Sequence, residues 1–486
     1  MKSYVVFSSI CCLFTAAHAV NIGNLNKCVE DVKKSLATSP PETSYFSTNY
    51  QQLLQMLQSP QVRDALPVVY QQNFLNPLIA YLKSLGPSRF YTLFSQQARD
   101  ELSAFLQQII PDLTEAVAQN GLGYAEKPLN AFEEVISDLY DGFLSEEDRI
   151  SNETGVKIKP PDRGILAPLA KWGNPDAGPY TWPGDATAEL SVKAGIVSLP
   201  PAHMKGGILA WSALGHETGG HDLLHADTGL IDELGSRVYN AVVANGGSTF
   251  LATYWRNCID ETASDVLGVL NMGPAAAIGL VGYFRGLTGG KLRTQGPLTG
   301  PHPIDILRGY LGAEVVSQLS FAGAGEWSQA IENEVNKDLQ TIYIVDSRTG
   351  YYYRIPADQA LQSVKVAANT IMNTKLNALE GHSLKEIQDW TDADQKIVSE
   401  LGVLLHKANA DLPASFKTHG YYATHLVAAG VQEALEKGAN VQVLFDRMIK
   451  HLNTMHQYNK TWKKPTSSSA VDADAEESQE EAPLSA

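Results

Sequence analysis

The chain has 486 residues, of which 37 are basic and 53 acidic, with 44% hydrophobic residues and 39 glycines. This composition excludes a disordered chain, a collagen-like repeat and a small disulfide-stapled scaffold, and it leaves room for a large core or for two or three of about 150 residues each. A net charge of -16, with no basic run longer than Lys463-Lys464, argues against a nucleic-acid partner.

Residues 1–19 read as a secretory signal peptide. Lys2 supplies the positive start, Tyr4 to Phe14 the apolar stretch and Ala17-His18-Ala19 the cleavage site. A secreted chain starting at Val20 is therefore expected. Export leaves Cys28 and Cys258 as a candidate disulfide, and it gives meaning to the glycosylation sequons at Asn152 and Asn459.

Residues 20–160 form an N-terminal region that reads as helical, with apolar positions recurring at three and four, as in Leu53, Leu54, Met56, Leu57 and in Leu102, Phe105, Leu106, Ile109. The Pro-, Gly- and Trp-rich stretch 159–184 reads as irregular and opens a central region, 161–325. There Glu189 to Leu199 reads as a strand, 206–227 as a buried helix and 230–244 as a second helix. Residues 266–284 carry no charge, but Asn271, Gly273-Pro274 and Gly279 interrupt them. Two buried helices with a break are expected, with no membrane span. In the C-terminal region, 326–464, TIYIVD and YYYRIP flank Ser347-Arg348-Thr349-Gly350 as a hairpin, and helices resume from Ala357 to Tyr458. The acidic tail 465–486 reads as disordered. A mainly α fold with a small β-sheet is the expectation.

The densest chemistry is in GGILAWSALGHETGGHDLLHADTGL, residues 206–230, which sets His216, Glu217, His221, Asp222, His225 and Asp227 on a segment otherwise built for burial. Buried charges are costly unless they are paired or hold a metal. His221 and His225, at i,i+4, lie about 40° apart around a helix, whereas His216 and His221, at i,i+5, lie about 140° apart and converge only if the helix is widened by a residue. Gly219 and Gly220 permit such a bulge. Both pairings stay open on spacing alone.

Glu261 and Asp265 follow, four apart on one predicted helix face. Glu261 would complete a set of two histidines and one carboxylate with a fourth position open, and Asp265 would orient a ligand imidazole through its other ring nitrogen. Further on, Pro301-His302-Pro303 precedes Arg308, and His302 or Arg308 could line a pocket and stabilise a developing oxyanion.

His216-Glu217-Thr218-Gly219-Gly220-His221 resembles the HExxxH helix of the dipeptidyl peptidase III family, written HELLGH there. Asp260-Glu261-Thr262-Ala263-Ser264-Asp265 is similar to that family's acidic second motif. The ExxxD spacing followed by His-Pro and an arginine six residues past the histidine also resembles the membrane-embedded gluzincins that cut prenylated and misfolded proteins. The resemblance covers about a quarter of the chain and implies a gluzincin-type zinc metallopeptidase with a peptide or protein substrate. It implies His216, His221 and Glu261 as ligands of Zn2+ and Glu217 as the catalytic carboxylate. By the same analogy the strand Glu189 to Leu199 aligns the substrate. Two other readings use the same residues. In an HD-type metal-dependent phosphohydrolase, Asp222 would be a ligand. In a non-catalytic secreted metal-binding protein, His225 would close the site as the fourth ligand.

Overall fold

The computed structural model describes residues 20–41, 44–144 and 158–462. The expected signal peptide, the Asn152 sequon and the acidic tail lie outside the described residues. Among these the fold is mainly helical with two three-stranded sheets, as expected.

Helices of eight residues or more are numbered here in chain order. The N-terminal region holds α1 (Leu25–Ala37), α2 (Tyr50–Leu57), α3 (Asn76–Ser95), α4 (Glu101–Leu122) and α5 (Glu126–Leu144). Asp100 and Ser103 close a reciprocal capping box at the start of α4, and Gly123 ends it in the left-handed conformation. The stretch expected to be irregular instead carries β1 (Leu166–Trp172) and β2 (Tyr180–Trp182). Prolines obscured both strands. Pro168 sits where the β1 register slips between Leu166 and Leu169, so its missing N–H costs no ladder bond.

The expected strand is β3 (Ala194–Leu199), shorter than the reading because residues 189–191 form a turn in which Ser191 has a positive φ. In the order β1-β3-β2, β3 pairs parallel with β1 and antiparallel with β2. Two-residue alternation splits β3 between two cores. Ala194 and Ile196 pack with α2, α3 and α4, while Val197 and Leu199 join the main helical core. Hence every residue of β3 is buried.

After the metal-motif segment come α6 (Leu230–Ala244), α7 (Thr249–Asn257), α8 (Ile259–Met272) and α9 (Pro274–Leu287), with β4 (Gln295–Pro297), α10 (Asp305–Ser317) and α11 (Ala324–Asn336). The uncharged stretch breaks at Gly273-Pro274 as expected, and no helix among the described residues is long and apolar enough to cross a membrane. The hairpin is β5 (Ile342–Asp346) and β6 (Tyr351–Ile355), with β4 parallel to β5 on its other side. The chain continues as α12 (Ala357–Asn373), α13 (Asp392–Leu405), α14 (Ala423–Leu435) and α15 (Val441–Tyr458). Side chains of α1, α5, α9, α14 and α15 share the main core, which therefore draws on all three regions.

Two expectations are corrected. Cys28 and Cys258 are both buried and free, not paired. Each thiol is spent on a different backbone oxygen, Cys28 on Ala434 and Cys258 on Gly300. Asn459 is tied inward, its Nδ2 donating to Glu134 Oε2 (3.0 Å) and Ser137 Oγ (2.8 Å), so a glycan on that nitrogen would displace packed groups.

Candidate metal centre

The segment from Ile208 is helical but uneven. Short α-turns at Ile208–Trp211 and Ala213–His216 run into a π-helical turn, Glu217–Asp222. That turn adds the residue per turn which the i,i+5 spacing requires, and His216 and His221 converge, their Nε2 atoms 3.1 Å apart. The glycines act differently from the expectation. Neither Gly219 nor Gly220 has a positive φ. Their role is space, because a Cβ on Gly220 would lie 2.5 Å from Ser264 Cα on α8. The bare backbone lets α8 come close enough to deliver its carboxylates.

Glu261 arrives from α8. Its Oε2 lies 3.4 Å from His216 Nε2 and its Oε1 3.6 Å from His221 Nε2. One ligand atom from each of the three lies within 4.8 Å of the others, a group that could hold a metal ion. A tetrahedral ion with bonds near 2.0–2.1 Å separates its ligands by about 3.3 Å, and the observed edges bracket that value.

The outer ring nitrogens explain why a cation suits this place. His216 Nδ1 meets Asp265 Oδ1 at 2.9 Å and His221 Nδ1 meets Asp260 Oδ1 at 3.0 Å. If each Nδ1 donates, both neutral rings present lone pairs at Nε2, facing each other and Glu261. Acceptors crowded in this way repel unless a proton or a cation sits among them. Burial opposes charging either ring, yet Asp265 and Glu261 raise the His216 pKa, and Asp260 and Glu261 raise that of His221 further. The field that would keep a proton on each ring would also hold a dication. The carboxylates stay ionised. Burial works against Glu261 and Asp265, but His216, His221 and Arg308 hold Glu261 well below the usual range, and Arg308 and His216 do so for Asp265.

Arg308 is buried and fully engaged. It donates from Nε and Nη2 to the two Asp265 oxygens at 2.7 Å each, and Nη1 lies 3.4 Å from Glu261 Oε2. Arg308 lines the cleft as expected, and its guanidinium clamps the carboxylates of α8. His302 is exposed, with Nε2 3.1 Å from Glu261 Oε1, at the mouth of the site. His225 is not brought into the ligand group. Its Nδ1 meets Asp185 Oδ2 at 2.8 Å and its Nε2 meets Asp260 Oδ2 at 3.4 Å. Burial opposes its charge, but those two acids outweigh it and lift its pKa to about 9. Asp222 also lies outside the group, its carboxyl against the backbone at Gly195, and burial pushes its pKa up to about 7.

The site opens into a cleft of about 980 Å³. Phe105, Tyr180 and Trp182 line it, as do Leu280, Phe284 and Leu287 of α9. Glu217 lines it too, its Oε2 accepting from Thr181 Oγ1 at 2.8 Å. The strand bordering the cleft is β2, an edge strand, whereas β3, the expected aligning strand, has both edges paired. Sequence reasoning missed Asp260, Asp185 and Thr181. Asp260 had a legible signal, standing beside Glu261, but the other two have none.

No family model matches the chain, and comparison with curated proteins and with solved structures gives no match either. The site's own chemistry therefore carries the functional argument.

Proposed function

We propose that the chain is a zinc-dependent peptidase, with His216, His221 and Glu261 holding the ion and Glu217 as general base. The observation that carries this is the pair of carboxylate-capped imidazoles converging with Glu261 at the wall of a large cleft. Bound there, zinc supplies a Lewis acid that polarises a carbonyl and acidifies water.

The chain's own groups do the rest. Glu217, held by Thr181, accepts a proton from the attacking water and passes it to the leaving amine. Asp260 and Asp265 keep the ligand rings in one tautomer and one orientation. Arg308 keeps Glu261 and Asp265 charged and still. The free edge of β2 offers backbone donors and acceptors to an extended peptide. A secreted protein is the setting we propose for it.

The test is zinc per mole of purified protein, with hydrolysis of a mixed peptide library. About one equivalent is expected, lost in His216→Ala, His221→Ala and Glu261→Ala and kept in His225→Ala. Glu217→Gln should keep zinc and lose hydrolysis by about 100-fold or more. A folded wild type without zinc, or zinc with no hydrolysis of any peptide, refutes the peptidase.

A second reading is a metal-binding protein without turnover: His302 Nε2 lies 3.1 Å from Glu261 Oε1 but outside the three-residue ligand group, so it closes the site only by swinging inward from its exposed position. Zinc that weakens in His302→Ala, with an inactive wild type, is its signature. The phosphohydrolase reading loses its needed ligand, since Asp222 lies outside the group.

A further inference from the structure

The face of β2 turned away from the metal helix has chemistry that the peptidase reading does not use. Thr181 turns toward Glu217, so its neighbours Tyr180 and Trp182 turn to the other face, toward α4. There Asp112 accepts from Tyr180 OH at 3.0 Å and from Trp182 Nε1 at 2.6 Å. Lys171, buried on β1, pairs with the same carboxylate and balances its charge. The polar tips of both rings are thus consumed from behind. What Tyr180 and Trp182 offer the cleft is apolar ring surface. Phe105, two turns before Asp112 on α4, meets Trp182 edge-on with centroids 5.7 Å apart. All three rings are half-buried, unlike core aromatics such as Trp211 or Trp255.

We propose that Phe105, Tyr180 and Trp182 form a subsite for a bulky apolar or aromatic side chain of a peptide lying along β2. This rests on the peptidase reading of the neighbouring site. A peptide paired to the β2 edge alternates its side chains, so a residue next to one that faces Glu217 faces the aromatic wall. The wall is an apolar surface continuous with the cleft, and an acidic side chain seated on it would lose hydration with no polar ring atom to replace it, because Asp112 already engages the tips of Tyr180 and Trp182. The selected substrate class is therefore peptides with Phe, Tyr, Trp or Leu beside the cleavage point, and acidic residues there are rejected.

Binding can be read without catalysis. Full-length protein stripped of metal with a chelator is titrated calorimetrically with blocked decapeptides that differ only at one central residue, Phe, Leu, Ala or Asp. We expect Phe and Leu to bind about tenfold or more tighter than Asp. Trp182→Ala should cut that ratio below about threefold, and Trp182→Phe should keep most of it. Phe105→Ala is the second variant if Trp182→Ala unfolds, with thermal unfolding as the check. Equal binding of all four peptides, or a ratio unmoved by either alanine variant, overturns the proposal. Preference without hydrolysis when zinc is restored leaves the subsite standing and sinks the peptidase. Hydrolysis without preference does the reverse.

Discussion

Asp260 shows how a single side chain can hold a site together. It accepts from His221 on one oxygen and lies beside His225 on the other, and Asp185 in turn holds His225. The result is a chain of alternating acids and imidazoles running from the cleft rim to the ligand ring. Asp260→Asn and Asp265→Asn keep shape but remove the charge that orients a ring, so each should weaken zinc about 10- to 100-fold, read by competition with a chromogenic chelator. Unchanged affinity in both would mean that the rings are held by packing alone. Thr181 acts on the base and not on the ligands. Thr181→Val should therefore keep zinc at wild-type level and lower kcat about tenfold with little change in KM, while Thr181→Ser restores it. Equal losses in the valine and serine variants would contradict that role. His216, His221, Glu261 and Asp265 are all named from the sequence, but spacing alone leaves His216–His221 and His221–His225 both open, and the motif resemblance is what favours the first. Thr181 is not legible there, since it lies 36 positions from Glu217 and a lone threonine carries no pattern.

At the level of elements, the site depends on two backbones meeting. The π-helical turn and α8 approach closely because Gly220 faces Ser264 and Gly215 faces Gly268, whose Cα lies 3.3 Å from where a Gly215 Cβ would stand. Gly220→Ala should push α8 outward, lower stability by about 1–3 kcal/mol and weaken zinc with it, measured by thermal unfolding with and without the metal. Gly219→Ala should be milder, because its Cβ would meet the Asn271 side-chain amide at 3.0 Å, a group that can turn aside. Equal effects would show that bulge flexibility and not space is what glycine supplies. The widening itself was readable, since the i,i+5 spacing permits convergence only through an extra residue per turn. The strands β1 and β2 were not, because prolines hide a ladder that tolerates them only at its irregular and edge positions.

Across the whole molecule, buried titratable groups link stability to pH. Burial pulls His203 and His451, both nearly inaccessible, down to about 4. Above the ordinary histidine value of 6.5 both states are neutral and the stability is fully present. As pH falls from there toward 4, the unfolded chain takes up protons that the folded chain refuses, so stability falls, by at most about 3 kcal/mol for His203. Glu134 pulls the other way: burial lifts its carboxyl to about 7, so its contribution is present at low pH and is lost as pH rises. The clean measurement is a difference. In chelated protein, His203→Gln should lose less of its urea midpoint between pH 6.5 and 4 than wild type, and parallel curves would refute the linkage. By itself the sequence determined the helical character, the break at Gly273-Pro274, the hairpin and the i,i+5 histidine spacing that calls for a widened turn. These depend on periodicity, turn chemistry and spacing within one segment, which are local. Only the tertiary structure decided that Cys28 and Cys258 stay apart, that His225 and Asp222 stand outside the ligand group, that Arg308 clamps carboxylates and that β2 carries the free edge. Those outcomes depend on which distant segments share a wall, and they follow from how the whole chain buries its apolar surface.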